Sequence, residues 1–273
     1  MYTEQNVAEH YDNAAFQFEL ERLEKHCPVE YAITCRYLDR YIPKEAVVVD
    51  IGSGAGHYAA FLAKRGCSIY LIDVSARLLD AARERLERAE LGHRIRAVVQ
   101  TSATDLGCLG NESCDAVLML GPLYHLRELP ARRQAVNEAH RVLKEGGILF
   151  AAGINRLAYL RDLFCENPKE GVKRQAFHEE YLQAGKLDPE RAAPIGYAHL
   201  TTVEEFRSLL TERFEEQALV GTESFTTVWQ AKLNELSADE REAWLDLVER
   251  TGATPEGLGH SDHFLFVGKK IEA

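Results

Sequence analysis

The chain has 273 residues, of which 46% are hydrophobic, enough to build a large core and to exclude disorder as its overall state. Lys and Arg number 32 against 43 Asp and Glu, a formal charge of −11, which argues against a dedicated nucleic-acid binder. The first residues, Met1 to Asn6, show no basic stretch followed by an apolar run, and no later run has the length to span a bilayer. A soluble, cytoplasmic protein with no membrane or nucleic-acid partner is expected. The six cysteines, Cys27, Cys35, Cys67, Cys108, Cys114 and Cys165, form no Cys-x-x-Cys pair and are expected to be reduced thiols, neither disulfides nor metal ligands.

Residues 1 to 42 are expected to be helical and carry Tyr11, Phe16, Phe18, Glu21, Arg22 and Tyr31. From Glu45 onward strands and helices alternate. Val47 to Ile51 is a β-branched run ending in glycines, as buried parallel strands do. A helix from Tyr58 to Arg65 is closed by Gly66. Ser68 to Ile72 is the next strand, and Ser75 is placed to cap a helix whose Leu78, Leu79, Ala82, Leu86 and Ala89 share one face. Arg96 to Gln100 and Ala116 to Leu120 follow as strands, then a helix from Arg132 to Leu143, a turn at Lys144 to Gly147 and a strand from Ile148 to Ala152. The alternation predicts a doubly wound α/β sheet. Residues 153 to 200 lack a clean period and are expected to form an inserted lid. Thr202 to Glu212 is expected as helix, Glu216 to Thr222 as strand, Val228 to Arg250 as a helical excursion, and Phe264 to Val267 as the last strand.

The turn Asp50-Ile51-Gly52-Ser53-Gly54-Ala55-Gly56 lets backbone approach a ligand and offers a helix N-terminus to an anionic group. By itself it does not choose a cofactor. The dinucleotide pattern G-x-G-x-x-G fails from Gly52 at His57 but is met permissively from Gly54 to Ala59. Asp73, at the end of the second strand with Val74 beside it, is placed to accept from both ribose hydroxyls of an adenosine group.

Together these residues resemble the class I S-adenosylmethionine-dependent methyltransferases, bacterial small-molecule type. Asp50 to Gly56 is similar to the family's first motif, Asp73 to its ribose-binding acid and Thr101 to Leu106 to its adenine loop. Cys114 to Leu120 is similar to its "FDAV" strand, and Arg141 to Leu149 to its "RVLKPGG" turn. The resemblance covers Val47 to Ala152 and implies a seven-stranded, mostly parallel, Rossmann-like sheet with an antiparallel last strand, and S-adenosylmethionine as cofactor. Tyr11, Asp50, Gly52, Ser53, Gly54, Gly56, Asp73, Val74, Ser102, Ala103 and Leu120 are the implied cofactor residues. The carbonyls of Gly52 and Leu120 would receive the methionine amino group, the aromatic face of Tyr11 would lie near the sulfonium, and the Ala103 N–H would serve adenine. Ser102 stands where the family often carries an acid, which shifts recognition of the adenine amine to Asp105 or water.

The expected reaction is in-line methyl transfer to a small molecule, with no metal. Tyr124 and His125, just beyond the fourth strand, are the catalytic candidates, His125 as a base. Arg22, Asn155 and Arg156 are candidates for an acceptor carboxylate or phosphate, and Tyr197 and His199 for closing the lid. His260 to His263 is expected to be a solvated loop. The expected divisions are a helical cap (1–42), a cofactor-binding core (43–152), a lid (153–200) and the remainder of the core (201–273). Competing readings are attack on another sulfonium carbon, transferring or cyclising the aminocarboxypropyl arm, a nicotinamide-nucleotide oxidoreductase, and a catalytically silent cofactor-binding module.

Overall fold

The computed structural model describes residues 4–187 and 198–272. Seven strands form one sheet in the order β3-β2-β1-β4-β5-β7-β6. The strands are β1 (Val47–Ile51), β2 (Ser68–Asp73), β3 (Ile95–Gln100), β4 (Cys114–Met119), β5 (Leu143–Ile154), β6 (Phe214–Gly221) and β7 (His263–Lys270). The first five run parallel, and β7 lies antiparallel between β5 and β6, as expected for the last strand.

Helices cover both faces, which is why β1 is buried at Val48, Val49, Asp50 and Ile51 and reads as an unbroken apolar run rather than an alternating one. One face is packed by α3 (Pro28–Tyr41), α4 (His57–Lys64) and α5 (Ala76–Arg88), through residues such as Ile33, Leu38, Leu62 and Leu86. On the other face α7 (Leu129–Val142) and α11 (Val203–Thr211) contribute Val136, Ala139, Phe206 and Leu210. The Ser75 side chain accepts from Leu78 N at the start of α5, and Thr202 with Glu205 forms a capping box on α11.

The N-terminal segment divides in two. Ile33, Leu38 and Ile42 belong to the sheet's core, so α3 is a structural helix of the α/β layer. Only α1 (Glu4–Asp12) and α2 (Phe16–Glu21), with a wider π-type turn at Arg22–His26, reach the carboxyl ends of the strands.

The turn expected at Lys144 to Gly147 lies inside β5. Leu143 pairs with Cys114 and Ile148 with Ala116, so the residues between them bulge out of the ladder, with Gly146 at φ 69°.

The insertion after β5 contains α8 (Ala158–Glu166), α9 (Pro168–Lys173) and α10 (Gln175–Ala184), held by their own cluster of Tyr159, Phe177, Tyr181, Leu187, Ala198 and Leu200. After β6 the chain forms a 3-10 stretch, Ser224–Glu235, then α12 (Ala238–Gly252) and the short α13 (Pro255–His260). Arg36 of α3 meets Glu242, Asp246 and Glu249 of α12. All six cysteines are free thiols. Among the described residues no helix is long and apolar enough to cross a membrane.

Candidate cofactor and acceptor site

A cleft opens at the carboxyl ends of β1 and β4, where the strand order reverses, the place at which open parallel sheets bind ligands. It encloses about 990 Å³, its open mouth included, and α1 and α2 border it from the N-terminal side. Its floor is the glycine turn. Gly52 N and Ser53 N both donate to Ile72 O, at 2.7 and 3.0 Å, and so pin the turn to β2. Gly52 and Gly56 are obligatory for packing, with φ of 69° and 76° and no room for a Cβ, which would stand 2.7 Å from Pro122 Cδ and 2.8 Å from Ala82 Cβ respectively. Gly54 is different, since a Cβ there meets nothing within 4 Å and the backbone is open to the cleft.

Two acids stand beside this turn. Asp73 accepts from Gly54 N and Ser75 N, both at 2.9 Å. Burial pushes it up to about 6, against the pull of these backbone donors. Asp50 is 3% exposed, and its Oδ2 has no hydrogen-bond partner among the described residues. Burial, with the charge of Asp73 added, pushes it up to about 7. The Ser53 Oγ beside it is likewise buried and unpartnered. An unsatisfied carboxylate oxygen and hydroxyl facing one cleft suit a ligand that brings hydrogen-bond donors or positive charge.

At the far end Val74, Thr101 and Ala103 line the cleft with Val7 and Leu78. Ser102 is turned differently from its expected role, for its Oγ bonds Glu4 of α1 at 2.8 Å and Thr104 at 2.8 Å. Asp105 accepts from Gly107 N within its own loop at 3.0 Å.

On the opposite side α6 (Pro122–His125) starts directly after β4 and carries both catalytic candidates. His125 Nε2 meets Tyr11 Oη of α1 at 2.8 Å, with the rings edge to face. The Tyr124 hydroxyl donates to Leu120 O at 3.3 Å. Burial raises both phenols, so both are neutral O–H groups. Arg22 lines the cleft but is engaged by Glu30 at 2.8 Å and by Glu19, which also lines the cleft, at 3.3 Å.

Four expectations are corrected. Asn155 is a backbone staple, with Nδ2 donating to Gly259 O and Ser261 O and Oδ1 accepting from Leu157 N. The Arg156 guanidinium donates to the carbonyls of Leu200, Leu182 and Gln183 and pairs with Glu205, so it holds the insertion together and does not face the cleft. His199 is buried behind Tyr124, whose carbonyl accepts from its N–H at 2.7 Å, and it lines a neighbouring depression with Arg132 and Lys186. Burial lowers its imidazole to about 4 and keeps it neutral. Finally, the loop at His260 to His263 is not solvated. Ser261 is fully buried, Asp262 pairs with Arg161, and His263 Nδ1 lies 2.5 Å from Glu223 Oε1 and 3.8 Å from Glu30 Oε2. Tyr197 lies outside the described residues.

Glu4, Glu19, Glu30 and Glu223 escaped sequence reasoning because each is an isolated acid in a helical or loop segment. Glu4 and Glu223 take their roles from Ser102 and His263, far away in the chain, and Glu19 and Glu30 take theirs from Arg22.

The family model described as a methyltransferase domain matches residues 49–151. Residues 49–151 are thus similar to a methyltransferase domain. The chain is similar to the ubiquinone biosynthesis O-methyltransferase of Methylocella silvestris, 30% identical over 123 residues that cover 43% of this chain and 44% of that protein. It is also similar to the ribosomal RNA small subunit methyltransferase C of Alcanivorax borkumensis, 31% identical over 120 residues, 43% of this chain and 35% of that protein. The chain thus spans less than half the length of these curated relatives. Among solved structures, a SAM-dependent methyltransferase of Methanosarcina mazei shares the fold, with TM-score 0.59 and 21% identity over 87% of this chain and 98% of that one.

S-adenosylmethionine is the cofactor of such a methyltransferase domain, and the cleft fits it. Asp50 Oδ2 and Ser53 Oγ are buried acceptors without partners, suited to an ammonium group. Asp73 retains lone pairs beyond its two backbone donors, suited to ribose hydroxyls.

Proposed function

We propose that the protein transfers the methyl group of S-adenosylmethionine to a small-molecule acceptor, by direct displacement. The observation that carries this reading is the Tyr11–His125 contact, which brings α1 against α6 across the rim of the cleft, so that cofactor and acceptor meet in a confined space. The charge of −11 favours a small-molecule acceptor over RNA.

The bound cofactor supplies an electrophilic methyl on a sulfonium. The protein's part is to orient the acceptor, exclude water and receive a proton where the acceptor is an alcohol, phenol or amine. Asp73 and Asp50 hold the two ends of the cofactor's polar groups. Tyr11, Tyr124 and Leu126 line the cleft together with His125, the group that receives this proton. Arg22 has its charge answered by Glu19 and Glu30, which supports an uncharged acceptor rather than the carboxylate or phosphate that an isolated arginine suggests.

Calorimetric titration with S-adenosylmethionine, S-adenosylhomocysteine, NADH and NADPH, followed by product detection by mass against small-molecule and RNA acceptors, tests this reading. Binding of the first two ligands and a mass gain of one methyl on a small acceptor are expected. Preference for a nicotinamide nucleotide, methylation of RNA alone, or transfer of the aminocarboxypropyl arm overturns it.

A further inference from the structure

We infer that Glu4, on the N-terminal helix α1, recognises the 6-amino group of adenine and so makes closure of that helix part of cofactor binding. This rests on the cofactor reading above. Asp73 anchors the ribose end of the cleft, and beyond it lie Val7, Val74, Leu78 and Ala103, an apolar surround of the kind a planar base requires. A purine edge also needs an acceptor for its amine. Ser102 has its Oγ engaged by Glu4 and Thr104, and neither Ser102 nor Asp105 is among the residues that line the cleft. The carboxylate that reaches this end is Glu4, which lines the cleft itself. Its Oε1 accepts from Ser102 Oγ at 2.8 Å, and no other described residue bonds it. Ser102 is thereby a positioning residue, and Glu4 the group that meets the ligand.

The helix is placed for this role by contacts with three separate loops. Asp12 accepts from Arg77 N at 3.3 Å and bonds the Ser75 hydroxyl after β2, Glu4 holds Ser102 after β3, and Tyr11 holds His125 after β4. An acid on the ligand-facing side of such a helix couples adenine recognition to its docking, because the base and the helix share one hydrogen-bonded carboxylate.

The test compares S-adenosyl-L-homocysteine with S-inosyl-L-homocysteine, whose 6-position is a carbonyl oxygen, by calorimetry on the full chain and its Glu4→Gln and Ser102→Ala variants. The unaltered protein is expected to prefer the adenosyl ligand by about tenfold or more, since one charge-assisted hydrogen bond is exchanged for oxygen against oxygen. Glu4→Gln should weaken adenosyl binding by about tenfold and narrow the preference, because its amide can donate to the inosyl oxygen. Ser102→Ala should give a smaller change in the same direction. Normal adenosyl binding with an unchanged preference in Glu4→Gln overturns the assignment of Glu4 and leaves the cofactor reading in place. Absence of binding of either nucleoside to the unaltered protein overturns both.

Discussion

Tyr11 and His125, from the first helix and from the turn after β4, share a 2.8 Å hydrogen bond with their rings inclined at 84°. The contact joins a helix outside the sheet to the residue proposed to receive an acceptor's proton. Tyr11→Phe keeps the ring and removes the hydroxyl. Turnover is expected to fall by about three- to tenfold, the worth of one neutral hydrogen bond, while affinity for S-adenosylhomocysteine stays within about twofold. His125→Ala should lower turnover further with cofactor affinity retained. Unaltered turnover in both variants would return the pair to a purely structural role.

The two buried acids give a pH signature. In the free protein Asp73 and Asp50 are held up to about 6 and about 7, chiefly by burial. Raised carboxyls contribute stability that is present below the ordinary carboxylate range and lost as pH rises through those values. Ligand donors favour the ionised forms, so cofactor affinity should increase from about pH 5 to about pH 8 as the apo protein loses stability. Asp50→Asn should stabilise the apo protein at about pH 8 by about 1 kcal/mol and weaken cofactor binding. Calorimetry and thermal unfolding across this range measure both, and a flat affinity profile would count against ionised Asp50 and Asp73 as cofactor partners.

Cofactor affinity should fall on Asp73→Asn by about ten- to hundredfold, since an amide accepts at only one of its two positions. The conservative change keeps the side chain's size at a site packed against Gly54 N and Ser75 N. Equal affinity in variant and parent would remove the ribose assignment.

Arg156 is expected to act on stability alone. Its guanidinium bridges three carbonyls and Glu205, a fork that lysine cannot reproduce. Arg156→Lys should lower unfolding free energy by about 2 kcal/mol, measured by denaturant titration, with cofactor affinity unchanged. A selective loss of acceptor binding would contradict this placement.

The cluster behind Arg22 carries the opposite pH dependence from that of an ordinary paired carboxylate. Glu30 and Glu223 hold the His263 imidazolium up to about 9 against the effect of burial. That contribution is complete below about 6.5, the free imidazole value, and is lost as pH rises through about 9. His263→Gln should flatten the fall in unfolding temperature between about pH 7 and about pH 9. An identical slope in the variant would show that the pair carries no net stability.

The sequence by itself determined the sheet and the cofactor turn. Strand and helix periods, the β-branched run into Gly52, the cap at Ser75 and the acid at Asp73 are local signals, written in neighbouring residues because backbone conformation and burial on two faces constrain them locally. Tyr11 and His125 were each legible as candidates, but their contact was not. Asn155 and Arg156 looked like ligand groups because isolated polar residues after a strand invite that reading, yet the carbonyls of Gly259 and Ser261 claimed the first and those of Leu182, Gln183 and Leu200 the second. Glu4, Glu30 and Glu223 carried no local mark at all. Only the tertiary structure decided which charges are answered by other parts of the chain and which remain for a ligand, since hydrogen-bond satisfaction in a buried cleft depends on partners that folding brings from distant segments.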